Sequence, residues 1–169
     1  MVRKFTMNHK IYVIDTSYLL ELYKVPGFST PSSYTKIKDK FKSAIENAFQ
    51  LHVPFPCILE FGNHIADVKN GKARKTLGEQ FSKAIKSSIE ESSPWIISPL
   101  DERLFVQKCE LFSNVFLPHR LSLTDTFVIQ EAKRLKDKYK SFKYNVHIWT
   151  KDENMKAREP DNEPDAFLG

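Results

Sequence analysis

A short apolar run that ends at a carboxylate constrains the fold of this chain more than any other stretch. Residues 11–14 read Ile-Tyr-Val-Ile without polar alternation, and Asp15-Thr16-Ser17 follows directly. A continuous apolar run of this length is typical of a strand that is buried on both faces, as in a parallel sheet. From Tyr18 onward, apolar residues recur at helical spacing. This order of strand, acid, polar turn and helix is how open α/β sheets place functional side chains at the carboxyl ends of their strands.

Asp15 also has a purely structural interpretation. Asp, Thr and Ser are all good N-cap residues, so Asp15 can serve only to begin the helix that follows it. Taken alone, this interpretation is the better one. A chemical role for Asp15 depends on whether other acids fall at equivalent places along the chain.

The rest of the chain alternates between strand and helix patterns, which is typical of the α/β class. Besides residues 11–15, strands are predicted at about 51–55, 95–98 and 146–150. Helices are predicted at 18–23, 36–50, 57–68, 73–91, 101–115 and 122–138. We therefore predict one domain over residues 1–169, a three-layer α/β/α sandwich with a parallel sheet of four to five strands. The acid-rich segment 151–169 is predicted to be a loop, or to add one short edge strand near 166–168.

The composition predicts a cytoplasmic protein. No apolar run approaches the roughly 20 residues of a membrane span, and residues 1–10 lack the apolar region of a signal peptide. The two cysteines, Cys57 and Cys109, lie in separate apolar contexts and form no CxxC pair. We expect both to be buried free thiols in a reducing compartment rather than zinc ligands.

The charge of the chain is positive but unevenly distributed. The net charge is +5. Residues 151–169 contain three Lys/Arg and six Asp/Glu, so this segment carries −3 and residues 1–150 carry +8. A basic body is typical of proteins with a polyanionic partner such as nucleic acid, although it also favours simple solubility.

Four acids fall at related places in the predicted fold. Asp15 ends one strand and Asp152 closely follows another, while Glu60 and Asp125 lie in the first turns of helices expected to pack on the same sheet. Carboxylates gathered at one edge repel each other unless a cation lies among them. Hard divalent cations such as Mg²⁺ and Mn²⁺ prefer these oxygens, and can support phosphodiester hydrolysis when bound there.

Two of these acids have structural alternatives as well. By amphipathicity, Glu60 faces solvent and is placed to pair with His64, four residues further on. Asp125 completes a capping box with Ser122 and can act only as an N-terminal acid of its helix.

The four acids occur in segments that together resemble the PIN domain family. These segments are Asp15-Thr16-Ser17, Ile58-Leu59-Glu60-Phe61-Gly62-Asn63, Leu123-Thr124-Asp125-Thr126 and Thr150-Lys151-Asp152-Glu153-Asn154. No single segment is specific, but four in the right order on matching elements are fairly specific. The resemblance covers residues 11–155, nearly the whole chain.

The resemblance implies a Mg²⁺- or Mn²⁺-dependent endoribonuclease, most often the toxin of a toxin–antitoxin pair of the VapC type and commonly a homodimer. The implied metal-binding and catalytic residues are Asp15, Glu60, Asp125 and Asp152. Residues expected to hydrogen-bond and orient these carboxylates are Thr16, Ser17, Asn63 and Thr150. Basic residues expected to hold the RNA backbone are Lys36, Lys40 and Arg120. The expected partners are RNA and an antitoxin protein.

Two other functions stay open at this point. The chain could be an RNA-processing nuclease without an antitoxin, or a non-catalytic module of the same fold that binds RNA or protein. A receiver-like or dehalogenase-like domain also places an acid after its first strand. However, the dehalogenase type needs a second Asp two residues on, where this chain has Ser17, and no acid pair precedes Asp15.

Overall fold

The computed structural model describes residues 9–169, and within this range the chain folds around one four-stranded sheet. The strands are β1 (Lys10–Ile14), β2 (Gln50–Pro54), β3 (Ile96–Ser98) and β4 (Asn145–Trp149). The α-helices are α1 (Thr16–Leu22), α2 (Pro31–Glu46), α3 (Phe55–Ala66), α4 (Gly71–Glu91), α5 (Phe105–Leu111), α6 (Leu123–Lys138) and α7 (Glu153–Lys156). The strand order is β3-β2-β1-β4, and all three pairings are parallel. The predicted α/β class and the four predicted strands are confirmed.

The strand order determines which helices lie on which face of the sheet. The connections from β1 to β2 and from β2 to β3 step in one direction, whereas the connection from β3 to β4 returns past β1. Because such crossovers are right-handed, α1–α4 lie on one face, and α5 and α6 lie on the other. The result is a three-layer α/β/α sandwich, as predicted.

The centre of the fold is a set of aromatic rings on the α1–α2 face of β1 and β4. Tyr12 stacks on Trp149 with ring centroids 4.2 Å apart, and Trp149 also contacts Tyr18 and Phe41 at 5.6 and 5.0 Å. The register that pairs Ile14 with Trp149 brings the carboxyl ends of these two strands level. The residues that follow β1 and β4 are therefore close together.

The helix predicted at residues 36–50 begins earlier than expected. It starts at Pro31 and ends at Glu46, and the hydroxyl of Thr30 accepts a hydrogen bond from the Ser33 amide (3.3 Å). A Thr N-cap followed by Pro at the first helical position is a helix-start signal, but proline and serine are also frequent in turns, so the predicted start was placed too late. The prediction was wrong by one and a half turns.

The helix predicted at residues 101–115 is also different in the structure. It is divided into a 3₁₀ turn at Glu102–Leu104, helix α5, and a π turn at Phe112–Phe116. A regular helical period over residues 101–115 places Leu104, Phe105 and Val115 on the inward side. In the structure they are 41%, 38% and 45% exposed, whereas Phe116 is 6% exposed. The π turn changes the angular spacing of the side chains, so a regular helical period assigns the wrong residues to the core.

The segment after β4 covers the outer edge of that strand without forming a strand of its own. The backbone amides of Val146 and Ile148 donate to the carboxylates of Asp161 (2.8 Å) and Glu159 (3.0 Å). The ammonium of Lys156 donates to the carbonyl of Ile148 (2.8 Å). Side chains thus satisfy backbone groups that an edge strand would otherwise leave unpaired. No edge strand forms near residues 166–168, and the predicted loop is interrupted by the short helix α7 at Glu153–Lys156.

Three smaller predictions can be compared with the structure. Cys57 and Cys109 are both free thiols, but only Cys57 is buried. None of the helices in residues 9–169 has the length and apolar character required to cross a membrane. The N-terminal stretch used for the localisation prediction lies mostly outside the described residues, which begin at His9.

Candidate functional site

The predicted site lies at the carboxyl edge of the sheet, between β1 and β4. These two strands are neighbours, and the strand order reverses between them: β2 and β3 lie on one side of β1, whereas β4 lies on the other. The gap between β1 and β4 is therefore the topological switch point of the sheet. Open α/β sheets bind their ligands at this position because the flanking connections diverge and leave a crevice. Asp15 follows β1 directly, and Thr150 follows β4.

Asp15 is held by three hydrogen bonds to a single carboxylate oxygen. Its Oδ2 accepts from the Ser17 hydroxyl (2.7 Å), the Ser17 amide (3.3 Å) and the Thr150 hydroxyl (3.0 Å). None of the described residues donates to Oδ1. Asp15 is therefore the N-cap of α1, as its structural interpretation predicted, but one of its oxygens is left for another partner.

The carboxyl group of Asp15 is unusual in its ionisation. Its side chain is almost completely buried. Burial, with a smaller contribution from the nearby Asp125 carboxylate, raises the pKa of Asp15 from 3.8 to about 6, although the hydrogen bonds from Ser17 and Thr150 oppose the shift. Ionised Asp15 is consequently strained by desolvation and by a like charge, and a bound cation would relieve both.

Glu60 lies on α3, on the same face of the sheet as α1, and is linked to the residue beside Asp15. Its Oε2 accepts a hydrogen bond from the Thr16 hydroxyl (3.2 Å), so Glu60 is linked to the residue next to Asp15. The predicted pair with His64 is present at 3.8 Å, between partly exposed side chains. Burial, Asp15 and Glu60 together raise the pKa of the Cys57 thiol well above its usual value, so this cysteine is an inert core residue.

Asp125 is a capping-box residue whose carboxylate also influences Asp15. Its Oδ2 accepts from the Ser122 amide (2.6 Å), and its own amide donates to the Ser122 hydroxyl (3.0 Å). The predicted capping box is confirmed. Asp125 is also the charged group that raises the pKa of Asp15 by repulsion. The structural interpretation of Asp125 as a helix cap is therefore confirmed, while its role at a metal site stays a prediction.

Asp152 lies further out than the other acids. It is exposed, and its Oδ1 accepts from the amides of Asn154 (2.7 Å) and Met155 (3.1 Å), so it is the N-cap of α7. Its own amide donates to the Thr150 hydroxyl (3.0 Å), which in turn donates to Asp15. Thr150 is thus the link between Asp15 and Asp152.

The other predicted site residues differ in whether they contact the four acids. Thr16, Ser17 and Thr150 each donate a hydrogen bond to one of the four acids, whereas Asn63 is exposed and, within residues 9–169, makes no side-chain hydrogen bond to them. The predicted RNA-binding Lys40 instead binds Glu163 (2.9 Å) and the carbonyl of Asp165 (2.9 Å).

Two predicted cations are more accessible than Lys40. Lys36 is exposed and lies over the Phe167 ring at 5.0 Å, and Arg120 is exposed two residues before the Ser122 N-cap of α6. Arg120 ends a 3₁₀ turn (Leu117–His119) in a left-handed conformation, with φ of 60°. Its position in the chain brings it close to the end of α6 that carries Asp125.

Sequence reasoning missed one further group near this edge. The ammonium of Lys151 forms an ion pair with Glu21, a fully buried residue of α1. Lys151 and Glu21 are 130 positions apart. The sequence therefore does not indicate which residue pairs with an acid on the apolar side of a short helix. The sequence contained only a weak signal, namely a Glu in an otherwise apolar helix.

The donor set fits a divalent cation in its chemistry but does not form a closed cage. Residues 9–169 contain no group of three or more His, Cys, Asp and Glu side chains that could hold a metal ion. Mg²⁺, however, usually takes only one or two carboxylates and completes its coordination with waters and substrate phosphates. Asp15 has one oxygen that accepts no hydrogen bond from the described residues, and the Asp125 carboxylate is near enough to raise its pKa, so these two side chains are the ones whose chemistry fits such an ion.

The largest cavity described lies elsewhere. It has a volume of about 660 Å³ and is lined by residues of α2, β1, β4 and the C-terminal segment, among them Tyr12, Lys36 and Phe167. None of the four acids lines it. This cavity and the four acids are therefore separate parts of the surface.

The comparisons with known proteins do not identify a family. No protein-family model matches the chain, and no curated protein matches it. The resemblance to the PIN domain family therefore rests on the four sequence segments alone.

Proposed function

We propose that this protein is a Mg²⁺- or Mn²⁺-dependent endoribonuclease of PIN type. The observation that carries the proposal is the buried Asp15 carboxylate at the topological switch point, with its pKa raised to about 6 by burial and by Asp125. Buried like-charged carboxylates are costly to a fold, and they are typical of sites where function requires them. The resemblance of the surrounding segments to PIN domains supplies the reaction type.

The residues of the chain would act in two groups. Asp15 and Asp125 would hold the cation, with Glu60 and Asp152 reaching the same edge when substrate is bound. Ser17 and Thr150 fix one oxygen of Asp15, and Thr16 fixes one oxygen of Glu60, so these carboxylates are oriented before any ligand arrives. A divalent cation bound there would supply charge stabilisation and an activated water for phosphodiester hydrolysis.

The basic character of the chain supports an RNA substrate. The sequence carries a net charge of +5, and Lys36 and Arg120 are exposed. Cations that contact phosphates release counterions, so binding should weaken as salt is raised. We assign Arg120 to the RNA backbone near the site and exclude Lys40, because its ammonium is already bonded to Glu163.

The biological setting follows from the same resemblance. We propose a cytoplasmic toxin that forms a homodimer and is controlled by an antitoxin protein. An RNA-processing nuclease without an antitoxin would use the same residues. A small antitoxin-like reading frame beside the gene would distinguish these two roles.

A non-catalytic binding module is the second candidate. It is favoured by one observation, namely that no three of the ligand-type side chains in residues 9–169 form a metal-binding group. Against it stands the presence of all four acids, since a fold that has lost catalysis has no reason to keep a buried carboxylate at an energetic cost.

Asp125→Asn tests the proposal, with Ser122→Ala as its matched control. Asn keeps the oxygen that accepts from the Ser122 amide, so Asp125→Asn should fold normally yet lose Mn²⁺-dependent cleavage of RNA. Ser122→Ala removes the cap and should cost about 0.5–2 kcal/mol of stability, but it keeps the carboxylate and should still cleave.

The readouts are metal-dependent cleavage of total RNA and the free energy of unfolding. Equal cleavage by wild type and folded Asp125→Asn would overturn the proposed role of Asp125. Binding of RNA by the wild type without cleavage at any Mn²⁺ or Mg²⁺ concentration would favour the binding module instead.

A further inference from the structure

The buried ion pair of Glu21 and Lys151 joins α1 to the segment that follows β4. Glu21 has no exposed surface, and the side chain of Lys151 is one-quarter exposed. A buried ion pair is a weak source of stability, because desolvation of both charges offsets their attraction. The pair therefore calls for an explanation other than stability.

Glu21 is itself fixed by a second element. Its Oε1 accepts a hydrogen bond from the Thr30 amide (2.9 Å), at the start of α2. Burial alone would raise the pKa of Glu21, but the hydrogen bonds from Lys151 and Thr30 outweigh burial, and the pKa is lowered. The carboxylate is thus charged at neutral pH, and its two oxygens bind Thr30 and Lys151 separately.

The backbone next to Lys151 is bonded directly to the candidate site. The Lys151 amide donates to the Ser17 hydroxyl (3.1 Å), which donates to Asp15 (2.7 Å). The next amide, of Asp152, donates to the Thr150 hydroxyl (3.0 Å), which also donates to Asp15 (3.0 Å). A shift of residues 150–152 would therefore break the hydrogen bonds of Asp15 and move Asp152 together.

We propose that Lys151 is a positioning residue, whose ion pair with Glu21 holds residues 150–152 so that Thr150 stays on Asp15 and Asp152 faces the same sheet edge. The ammonium of Lys151 does not touch the substrate in this role, because Glu21 occupies it. The functional part of this inference rests on the proposed metal-dependent nuclease. The structural part, that the pair fixes the segment, stands by itself.

The test uses three variants at the pair and one control. Lys151→Met removes the ammonium and leaves Glu21 unpaired, so the double variant Glu21→Gln/Lys151→Met is made as well to avoid a lone buried charge. Lys151→Arg keeps the positive charge. Lys40→Met is the matched control, since Lys40 also pairs with a buried glutamate, Glu163, but has no bond to the site.

The first measurement is amide hydrogen exchange, which needs no activity. In the double variant, the amides of Lys151 and Asp152 should exchange at least about tenfold faster relative to the core amide of Val13. In Lys40→Met this ratio should stay at the wild-type value. Unchanged protection of both amides in the folded double variant would overturn the proposal.

The second measurement is the Mn²⁺ concentration that gives half-maximal RNA cleavage. Groups that orient metal ligands typically change metal affinity by about 10–100-fold when removed, so the double variant should need at least about tenfold more Mn²⁺. Lys151→Arg should recover most of the affinity, and Lys40→Met should lose none of it. Loss of amide protection without a change in Mn²⁺ dependence would overturn the positioning role. If wild type neither binds Mn²⁺ nor cleaves RNA, the proposed nuclease fails, and the exchange measurement still decides whether the pair fixes residues 150–152.

Discussion

Replacing Asp15 by Asn should stabilise this protein at neutral pH when no divalent metal is present. In the folded state, burial and Asp125 raise the pKa of Asp15 from 3.8 to about 6. A carboxyl with a raised pKa favours the folded state below its unfolded pKa, and this contribution is lost as the pH rises through the folded pKa. The ionisation of Asp15 therefore lowers the free energy of unfolding. This loss of stability grows as the pH rises from about 4 to about 6 and is complete above about pH 6.

The size of the effect follows from the shift. A change of about 2 pKa units corresponds to about 3 kcal/mol, and Asp15 is only 7% exposed, so solvent does not reduce this much. An amide oxygen accepts weaker hydrogen bonds from Ser17 and Thr150 than a carboxylate does, which removes part of the gain. We expect Asp15→Asn to be about 1–3 kcal/mol more stable than wild type at pH 7.5. For a chain of this length, this is an increase in Tm of about 2–12 °C.

The assay is urea unfolding in a buffer with chelator, at pH 4 and at pH 7.5. The stabilisation should be present at pH 7.5 and should disappear at pH 4, where Asp15 of the folded wild type is protonated. If Asp15→Asn is less stable than wild type by the same amount at both pH values, the Asp15 carboxylate is only a helix cap and the argument from its pKa is refuted.

Three further outcomes are expected. Addition of Mn²⁺ should raise the Tm of wild type, because a ligand of the folded state stabilises it, and should leave Asp15→Asn unchanged; an equal rise in both proteins would place the ion elsewhere. Glu163→Gln should lower the free energy of unfolding by about 1.5–3 kcal/mol at pH 7, because Glu163 binds two lysines. Those lysines outweigh burial and lower the pKa of Glu163, so this difference should shrink as the pH falls below 4.5; a pH-independent difference would argue against the ion pairs. Phe61→Ala should cost about 3–5 kcal/mol in a urea melt, since Phe61 is fully buried, whereas Leu59→Ala on the exposed side of the same helix should cost less than about 0.5 kcal/mol.

The elements that sequence predicts well are those whose burial is continuous. Four of the five residues of β1 and of β4 are buried, so a mainly apolar run, interrupted in β4 only by the buried His147, identified each strand correctly. Even β2 was located, although Pro54 and Pro56 weaken its pattern, because Pro54 is the last strand residue and Pro56 lies in the first turn of α3. Proline is tolerated at both of these positions.

The sequence-based predictions were wrong where the helical period of the side chains changes, and where a short sequence pattern is compatible with two kinds of local structure. The π turn at Phe112–Phe116 shifts the buried position, which a fixed helical period cannot follow. The Thr30-Pro31 pair is compatible with a loop as well as with the start of a helix. In both cases the neighbours in space, rather than the local sequence, decide the outcome.

The site could be outlined from the sequence because its acids stand at element boundaries. Once β1 and β4 are known to be parallel neighbours, the residues that follow them must meet at one edge. The partners of those acids were harder to foresee. The hydrogen bond from Thr150 to Asp15 spans 135 positions, and only the three-dimensional register creates it.

The charge of the chain gives the clearest case of what composition cannot predict. The sequence divides into a basic body and an acidic tail, but the structure brings the two together through pairs such as Lys40–Glu163 and Lys136–Asp161. The net charge counts the lysine of each pair as available for RNA binding, although its ammonium already binds a carboxylate. Only cations that stay accessible can attract a polyanion, so the electrostatic surface depends on which lysines the acidic segment pairs with. Lys40, selected from the sequence as an RNA contact, is instead part of the structure that covers the edge of β4.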